Sequence, residues 1–228
     1  MNGAAPAIRD AATVIVVRRT AHGPAVLMGM RGAAAVFMPS KYVFPGGAVD
    51  ATDANVELAR PLRGTDEARL MAEPRRDVAM EPHALAVAAL RELAEETGLL
   101  IGQAGPGCPL PGFAEAGLRP NAQPLIYVFR AITPPGRPRR FDARFFVVDA
   151  SEVRGDPDDF SAACDELSHL HWVPLADARA LDLPFITEVV LAELGELLAA
   201  TGGGALMPPD TVPFFDNRGD EPRFSQIS

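Results

Sequence analysis

The chain has 228 residues, 48% of them apolar, and a formal net charge of −9, which favours a folded domain with a sizeable core over a disordered chain. The acidity argues against a nucleic-acid polymer as partner, because proteins that bind nucleic acids usually present a basic surface. The sequence has no signal peptide and no apolar run of about 18 residues, so we expect no membrane partner.

The cysteines and the single lysine suggest the cellular setting. Cys108 and Cys164 lack the spacing of a metal or redox pair, so both are expected to be buried thiols of a reducing, cytoplasmic compartment. Only Lys41 among the 21 basic residues is a lysine, and alanine is abundant. This composition is typical of a GC-rich bacterial genome.

The first 81 residues predict a β-hairpin followed by a glycine turn and a polar segment. Apolar and β-branched residues predict buried strands over 12–19 and 25–31. A shorter strand over 42–44 ends at Pro45-Gly46-Gly47, where the backbone must bend sharply or approach another group closely. Residues 50–81 are rich in Arg, Glu and Asp, with short helices predicted over 53–58 and 65–72.

The stretch from Pro82 to Gly98 predicts a long helix. Proline suits the first helical turn, the residues between are mostly strong helix formers, and glycine suits the C-cap. Glu92, Glu95 and Glu96 are spaced by three and four residues, so they share one face of this helix. They form either a plain solvated face or a site for Mg²⁺ or Mn²⁺, which prefer oxygen ligands.

The second half of the chain predicts mainly strands and one more helix. Glycine and proline predict a loop over 101–123, and apolar patterns predict strands over 124–132, 141–148 and 166–173. An apolar-faced helix is predicted over 186–200. The remaining residues either pack on the domain or on a partner subunit, or form a flexible tail.

The glycine turn and the helix together resemble the Nudix hydrolase family. The family pattern is Gly, five residues, Glu, seven residues, then Arg-Glu-U-x-Glu-Glu-x-Gly-U, where U is aliphatic. Residues 91–99 (RELAEETGL) match the second half at every position, and Gly47 fits the first glycine. Asp53 stands where the pattern has its first Glu, and 37 residues rather than seven separate it from Arg91. Asp53, or Glu57 one turn later, is expected to do the work of the missing glutamate.

The resemblance implies the fold and the reaction. The fold would be a Nudix-type α/β/α sandwich with a mixed β-sheet, formed by residues 1–228 as a single domain. It would contain an insertion at about 50–81, inside the motif, and a C-terminal extension at about 201–228. The enzyme would use Mg²⁺ or Mn²⁺ to hydrolyse the diphosphate linkage of a nucleoside diphosphate derivative by water attack on phosphorus. Many relatives are homodimers, so a homodimer is a further implied partner.

The resemblance also implies residue roles. Glu92 and Glu96 would be the principal metal ligands, with Glu95 and the carbonyl of Gly47 completing the set. Arg91 would pair with carboxylates and hold the loop and helix together. The general base would be either a motif glutamate or Glu166 in the second half of the chain.

The substrate is suggested by a likeness to one branch of the family, the long-insert proteins similar to peroxisomal coenzyme A diphosphatases. The stretch 37–47, the split motif and Leu181-Asp182-Leu183-Pro184 carry this likeness. The arginine signature for coenzyme A is incomplete, because Arg31 is present and the next expected arginine is absent. Arg140 and Arg144, in the basic cluster with Arg137 and Arg139, either bind a second phosphate or belong to a solvated loop.

Two other functions compete with a diphosphatase. A non-catalytic Nudix-like module would bind a nucleotide as a sensor or regulator. The three retained glutamates favour the enzyme, whereas Asp53 and the insertion favour the module. An acidic helix without any metal is the third interpretation.

Overall fold

The computed structural model describes residues 6–75, 81–219 and 221–228, so positions 76–80 of the predicted insertion lie outside the described residues. The helices are α1 (Gly64–Met71), α2 (Pro82–Thr97) and α3 (Phe185–Ala200). The strands are β1 (Ile8–Thr20), β2 (Gly23–Arg31), β3 (Tyr42–Val43), β4 (Gly46–Ala48), β5 (Gly102–Ala104), β6 (Leu118–Pro120), β7 (Ile126–Ile132), β8 (Arg140–Asp149), β9 (Leu167–Pro174), β10 (Val212–Asp216) and β11 (Arg223–Ile227). Among the helices in the described ranges, none is long and apolar enough to cross a bilayer.

A mixed sheet of nine strands is the centre of the described structure. Its order is β11-β10-β7-β8-β1-β2-β3, with β4 paired to β1 and β9 paired to β2. The pairs β1–β8 and β7–β10 are parallel, and the other pairs in this sheet are antiparallel. The expectation of a mixed sheet is confirmed.

Both faces of the sheet are covered, which explains the unbroken apolar run in β1. Val14 and Val16 pack in the core cluster that contains the apolar side of α2. Ile15 and Val17 pack in the cluster that contains α3. A strand buried on both faces has no polar alternation, so this part of the chain has the predicted α/β/α layers.

Helix α2 begins and ends at the predicted residues. Pro82 occupies the first turn, where its missing N–H leaves no helical hydrogen bond unmade. Gly98 has a φ of 77°, and its N–H donates to the carbonyl of Ala94 at 2.8 Å. Since a left-handed φ strains other residues, glycine is needed at this end.

The chain between α2 and β7 differs from the prediction, and the chain after α3 follows one of the alternatives predicted for it. The predicted loop over 101–123 contains a two-stranded ladder, β5–β6, that pairs Gly102 with Pro120. For the end of the chain, the alternative of packing on the domain is confirmed and that of a flexible tail is wrong, because β10 and β11 extend the central sheet beside β7. Phe214 in β10 is fully buried. A parallel strand with a distant partner carries no local turn signal, so the pattern of the tail did not predict it.

Buried ion pairs connect the insertion to the sheet. Asp142 Oδ2 lies 2.8 Å from Arg130 Nη2, 3.1 Å from Arg144 Nη2 and 3.0 Å from Arg75 Nε. Asp10 binds Arg75 at 2.6 Å and also pairs with Arg144. Asp142, Arg130 and Arg144 are almost completely excluded from solvent. Buried charges are costly unless they are paired, so these contacts fix Arg75 of the insertion against β1 and β8.

We expect Asp142→Asn to lower the free energy of unfolding by about 3 to 5 kcal/mol, because it leaves buried guanidinium groups without their shared carboxylate. Urea unfolding measures the loss. The control is Asp182→Asn, which breaks the surface pair with Lys41 and should change stability by less than about 1 kcal/mol. Equal effects of the two variants would contradict a stabilising role for the buried pairs.

Candidate functional site

Two of the three glutamates of α2, Glu92 and Glu96, lie against the glycine turn where β4 pairs with β1. The register pairs Thr13 with Gly46 and Ala12 with Gly47. The N–H of Gly46 donates to Glu96 Oε2 at 2.7 Å. A Cβ atom on Gly47 would lie 2.5 Å from the carboxyl carbon of Glu92. Position 47 therefore has no room for a side chain while Glu92 keeps its place.

Glu96 is the most deeply buried of the three. It is 1% exposed, and its Oε1 has no hydrogen-bond partner among the described residues. Burial raises the pKa of Glu96 to about 8, the charges of Glu92 and Glu166 add to this rise, and the bond from Gly46 opposes it. A buried carboxyl with a free oxygen is suited to bind a proton or a cation.

Glu92 and Glu95 lie nearer to the surface on the same side of the helix. Their side chains are 13% and 40% exposed. Arg91 Nη1 donates to Glu92 Oε1 at 2.9 Å and to Glu95 Oε2 at 3.2 Å. Burial is the main cause of the raised pKa of Glu92, and the charges of Glu95 and Glu166 add to it.

Arg91 connects the start of the insertion to α2. Its Nε and Nη2 donate to the two oxygens of Asp53 at 2.9 and 3.1 Å, and Nη2 also donates to the carbonyl of Ala48 at 3.0 Å. Although burial opposes its charge, the contacts with Asp53 and Glu92 raise the pKa of Arg91. Arg91 thus makes the carboxylate pairs expected of it.

Of the two candidates for the missing motif glutamate, only Asp53 lies near the site. Asp53 is fully buried and both its oxygens accept from Arg91, so it acts on the glutamates through that arginine. The Glu57 alternative is wrong, because its side chain is 76% exposed and pairs with Arg119 at 3.0 Å. The side chain of Glu57 therefore faces solvent instead of the three glutamates.

Arg31 and Glu166 lie on another side of the glutamates. Arg31 ends β2, Glu166 precedes β9, and the register pairs Arg31 with Leu167. Arg31 Nη2 donates to Glu166 Oε1 at 2.8 Å. Each residue was a candidate from the sequence, but their contact is decided by strands that are more than a hundred residues apart.

Arg140 and Arg144 are not at the site. Arg140 is 8% exposed and donates to the carbonyls of Thr133 and Asn217 at 2.9 and 2.7 Å. Arg144 is fully buried and bound by Asp10 and Asp142. The prediction that these two arginines bind substrate is wrong, and so is the solvated-loop alternative, because both lie on a strand inside the sheet.

The segment that leads to Glu166 is a feature that the sequence did not predict. The N–H of Cys164 donates to the carbonyl of Glu95 at 2.8 Å. A Cβ atom on Gly98 would lie 3.1 Å from that of Ala162. Gly98 therefore serves both as a helix cap and as the place where this segment crosses the end of α2. Cys164 is exposed and Cys108 is buried, so the expectation of a buried thiol is wrong for Cys164.

The carboxylate oxygens of the site are suitable ligands for a hard cation, although the carboxylates are not arranged to surround one. Across the described ranges, no three His, Cys, Asp or Glu side chains are placed to hold a metal ion together. Arg91 binds Glu92 and Glu95, while Glu96 turns toward the Gly46 amide. Two features would suit a bound cation. The buried Oε1 of Glu96 has no hydrogen-bond partner among the described residues, and Gly47 closely approaches the carboxylate of Glu92. The predicted ligand set stays a prediction.

Comparisons with known proteins point to one family. No family model matches the chain. A curated Caenorhabditis elegans protein named as a nudix hydrolase is 29% identical over 181 residues, which are 72% of this chain and 51% of that protein. The chain thus spans about half the length of this relative. A crystal structure of a NUDIX hydrolase from Alicyclobacillus acidocaldarius has a TM-score of 0.63 at 29% identity, covering 90% of this chain and 100% of that one.

A third comparison concerns the fold alone. The NUDIX domain of Shewanella oneidensis NrtR, solved with ADP ribose, has a TM-score of 0.50 at 15% identity, covering 84% of this chain and 89% of that one. The chain has the fold of Nudix hydrolases, and its sequence is similar at 29% identity to two proteins of that name.

We expect Gly47→Ala to weaken Mn²⁺ binding by about tenfold or more, because displaced supporting groups typically cost that much in metal affinity. The new methyl group would overlap the carboxylate of Glu92. Titration calorimetry measures the change. Gly32→Ala is the control, since a Cβ there meets nothing within 4 Å. Unchanged Mn²⁺ affinity in the Gly47 variant would contradict the role of Glu92.

The pKa of Glu96 predicts how stability depends on pH in EDTA. The folded protein keeps this proton up to about pH 8, whereas the unfolded chain loses it near the ordinary value of 4.5. Because the folded state binds the proton more tightly, the contribution of Glu96 to the free energy of unfolding falls as pH rises from 4.5 to 8.

Glu96→Gln removes this titration. Between acidic pH and pH 8, we expect the free energy of unfolding of the variant to rise by a few kcal/mol relative to that of the wild type. Urea unfolding of both proteins across this range measures the difference. Identical pH profiles would show that Glu96 is not held as a buried carboxyl.

Proposed function

We propose that this chain is a Nudix-type diphosphatase that uses Mg²⁺ or Mn²⁺ to hydrolyse the diphosphate linkage of a nucleoside diphosphate derivative. The observation that carries the proposal is the close approach of Glu92 and Glu96 to the Gly46–Gly47 turn, with Glu95 held beside Glu92 by Arg91. The 29% identity to proteins named as Nudix hydrolases supports it.

The residues of α2 and the turn would hold the divalent cation. Glu92 and Glu96 are the principal ligands in this proposal, with Glu95 and the carbonyl of Gly47 as the others. A bound divalent cation supplies positive charge to phosphate oxygens and lowers the pKa of water. Arg91 keeps Glu92 and Glu95 in place through the hydrogen bonds that it donates to both.

Glu166 is our candidate for the general base, and Arg31 for the residue that binds a phosphate group. Glu166 takes a proton from the attacking water while the water oxygen forms its bond to phosphorus. The bond from phosphorus to the bridging oxygen breaks, and its electron pair leaves with the departing phosphate. Arg31 offers the planar donors that suit phosphate oxygens.

The substrate and the assembly are finer parts of the proposal. Coenzyme A or an acyl-coenzyme A is the candidate suggested by the branch likeness, and Arg31 is the remaining one of the three arginines proposed to bind it. We further propose a single domain over residues 1–228, a cytoplasmic setting and a homodimer. The alternative is a nucleotide-binding module without catalysis. It is favoured by the hydrogen bonds that engage both oxygens of Asp53 with Arg91.

We expect hydrolysis of one class in a panel of coenzyme A, acyl-coenzyme A, ADP-ribose, NADH, dinucleoside polyphosphates and nucleoside triphosphates, measured by separating the two phosphorylated products of each cleavage. The cleavage should require Mg²⁺ or Mn²⁺ and stop in EDTA. Glu96→Gln should lower the rate on the order of a thousandfold, equivalent to about 4 kcal/mol of transition-state stabilisation.

The matched control is Glu57→Gln, which removes an exposed glutamate of the insertion and should leave the rate unchanged. Near-normal turnover by the Glu96 variant would refute the assignment of this site. Metal binding without hydrolysis of any member of the panel would favour the nucleotide-binding module.

A further inference from the structure

Arg31 and Glu166 are paired with each other beside the glutamates of α2. The Arg31 Nη2 to Glu166 Oε1 distance is 2.8 Å. The segment that leads to Glu166 crosses α2, where the N–H of Cys164 donates to the carbonyl of Glu95 at 2.8 Å. The pair therefore borders the place where a substrate phosphate would meet α2.

The two partners differ in how firmly the chain holds them. The backbone N–H of Arg31 donates to Lys41 at 2.9 Å, and its carbonyl accepts from Ser40 at 3.1 Å. The Arg31 side chain is 20% exposed, whereas that of Glu166 is 52% exposed. Glu166 is the last residue of the loop before β9. Arg31 is thus the anchored partner, and Glu166 is the one with room to move.

The ion pair engages both groups that the proposed reaction needs, the base Glu166 and the phosphate-binding Arg31. While Glu166 accepts from Arg31, one of its oxygens is engaged and the arginine is neutralised. An exposed ion pair of this kind contributes only about 0.2 to 1 kcal/mol. A diphosphate carries more negative charge than a carboxylate and can accept two hydrogen bonds from one guanidinium group. A substrate would therefore displace Glu166 from Arg31 at little cost.

We propose that the Arg31–Glu166 pair is a latch that the substrate opens. A phosphate oxygen of a nucleoside diphosphate derivative replaces Glu166 on Arg31. The freed carboxylate then takes the proton from the attacking water, as the water oxygen bonds to phosphorus and the bridging oxygen leaves with its electron pair. The latch rests on the proposed function, and it adds that binding of the phosphate and release of the base are one event.

The test measures binding of α,β-methylene-ADP, whose carbon bridge resists hydrolysis, to the full chain in excess Mg²⁺. Titration calorimetry compares the wild type, Glu166→Gln, Arg31→Met and the double variant. Removing Glu166 frees Arg31 in advance, so Glu166→Gln should bind about two- to fivefold more tightly. This gain should vanish in the Arg31→Met background, because no arginine remains to be released.

Asp165→Asn is the matched control, because it removes the neighbouring exposed carboxylate, which does not pair with Arg31. The effect of Asp165→Asn on affinity for the analogue should be smaller than that of Glu166→Gln. It should also be the same with and without Arg31→Met. With a substrate that is cleaved, Glu166→Gln should lower kcat although it binds more tightly, a combination that a purely structural ion pair does not produce.

The outcomes separate the latch from the underlying function. A gain from Glu166→Gln that depends on Arg31 supports the latch. The latch is overturned if Glu166→Gln gives no gain in affinity for the analogue. It is also overturned if the gain is the same in the Arg31→Met background, because simple charge repulsion then explains it. The proposed diphosphatase function stands in both cases. Failure of the wild type to bind the analogue with Mg²⁺ overturns both.

Discussion

The candidate site depends on one buried guanidinium group. Arg91 binds both oxygens of Asp53, the carbonyl of Ala48 and the carboxylates of Glu92 and Glu95. A cation with several planar donors can hold three carboxylates close together that would otherwise repel one another. These contacts also close the start of the insertion onto α2, so about 30 extra residues inside the motif do not separate its two parts.

A second set of buried charges connects the elements around the site. Asp10 and Asp142 are shared by three arginines, one of which, Arg75, comes from the insertion. Arg130 of this set also stacks on Phe214, with 4.3 Å between the guanidinium carbon and the ring centroid. The insertion and the C-terminal extension therefore pack on the same sheet as the site.

The predictions from the sequence were best where local signals are strong. The proline, the glycine cap and the spacing of the glutamates predicted α2 and its shared face, and the apolar runs predicted β1, β2, β7 and β8. The weaker predictions concerned groups whose surroundings are set by distant strands. Arg140 and Arg144 have the charge expected of phosphate ligands, but no pattern in one sequence reports that their partners are Asn217, Asp10 and Asp142.

The sequence by itself determined the α/β class, the helix with three carboxylates at the spacing of one face, and the glycine turn, because spacing and backbone freedom are local properties. Only the tertiary structure decided that Asp53 reaches Arg91, that Glu57 does not, and that Arg31 meets Glu166. It also placed the last strands in the sheet. Each of these results depends on the pairing of segments far apart in the chain, and the free energy of such pairing comes from burial and charge partners that adjacent residues do not reveal.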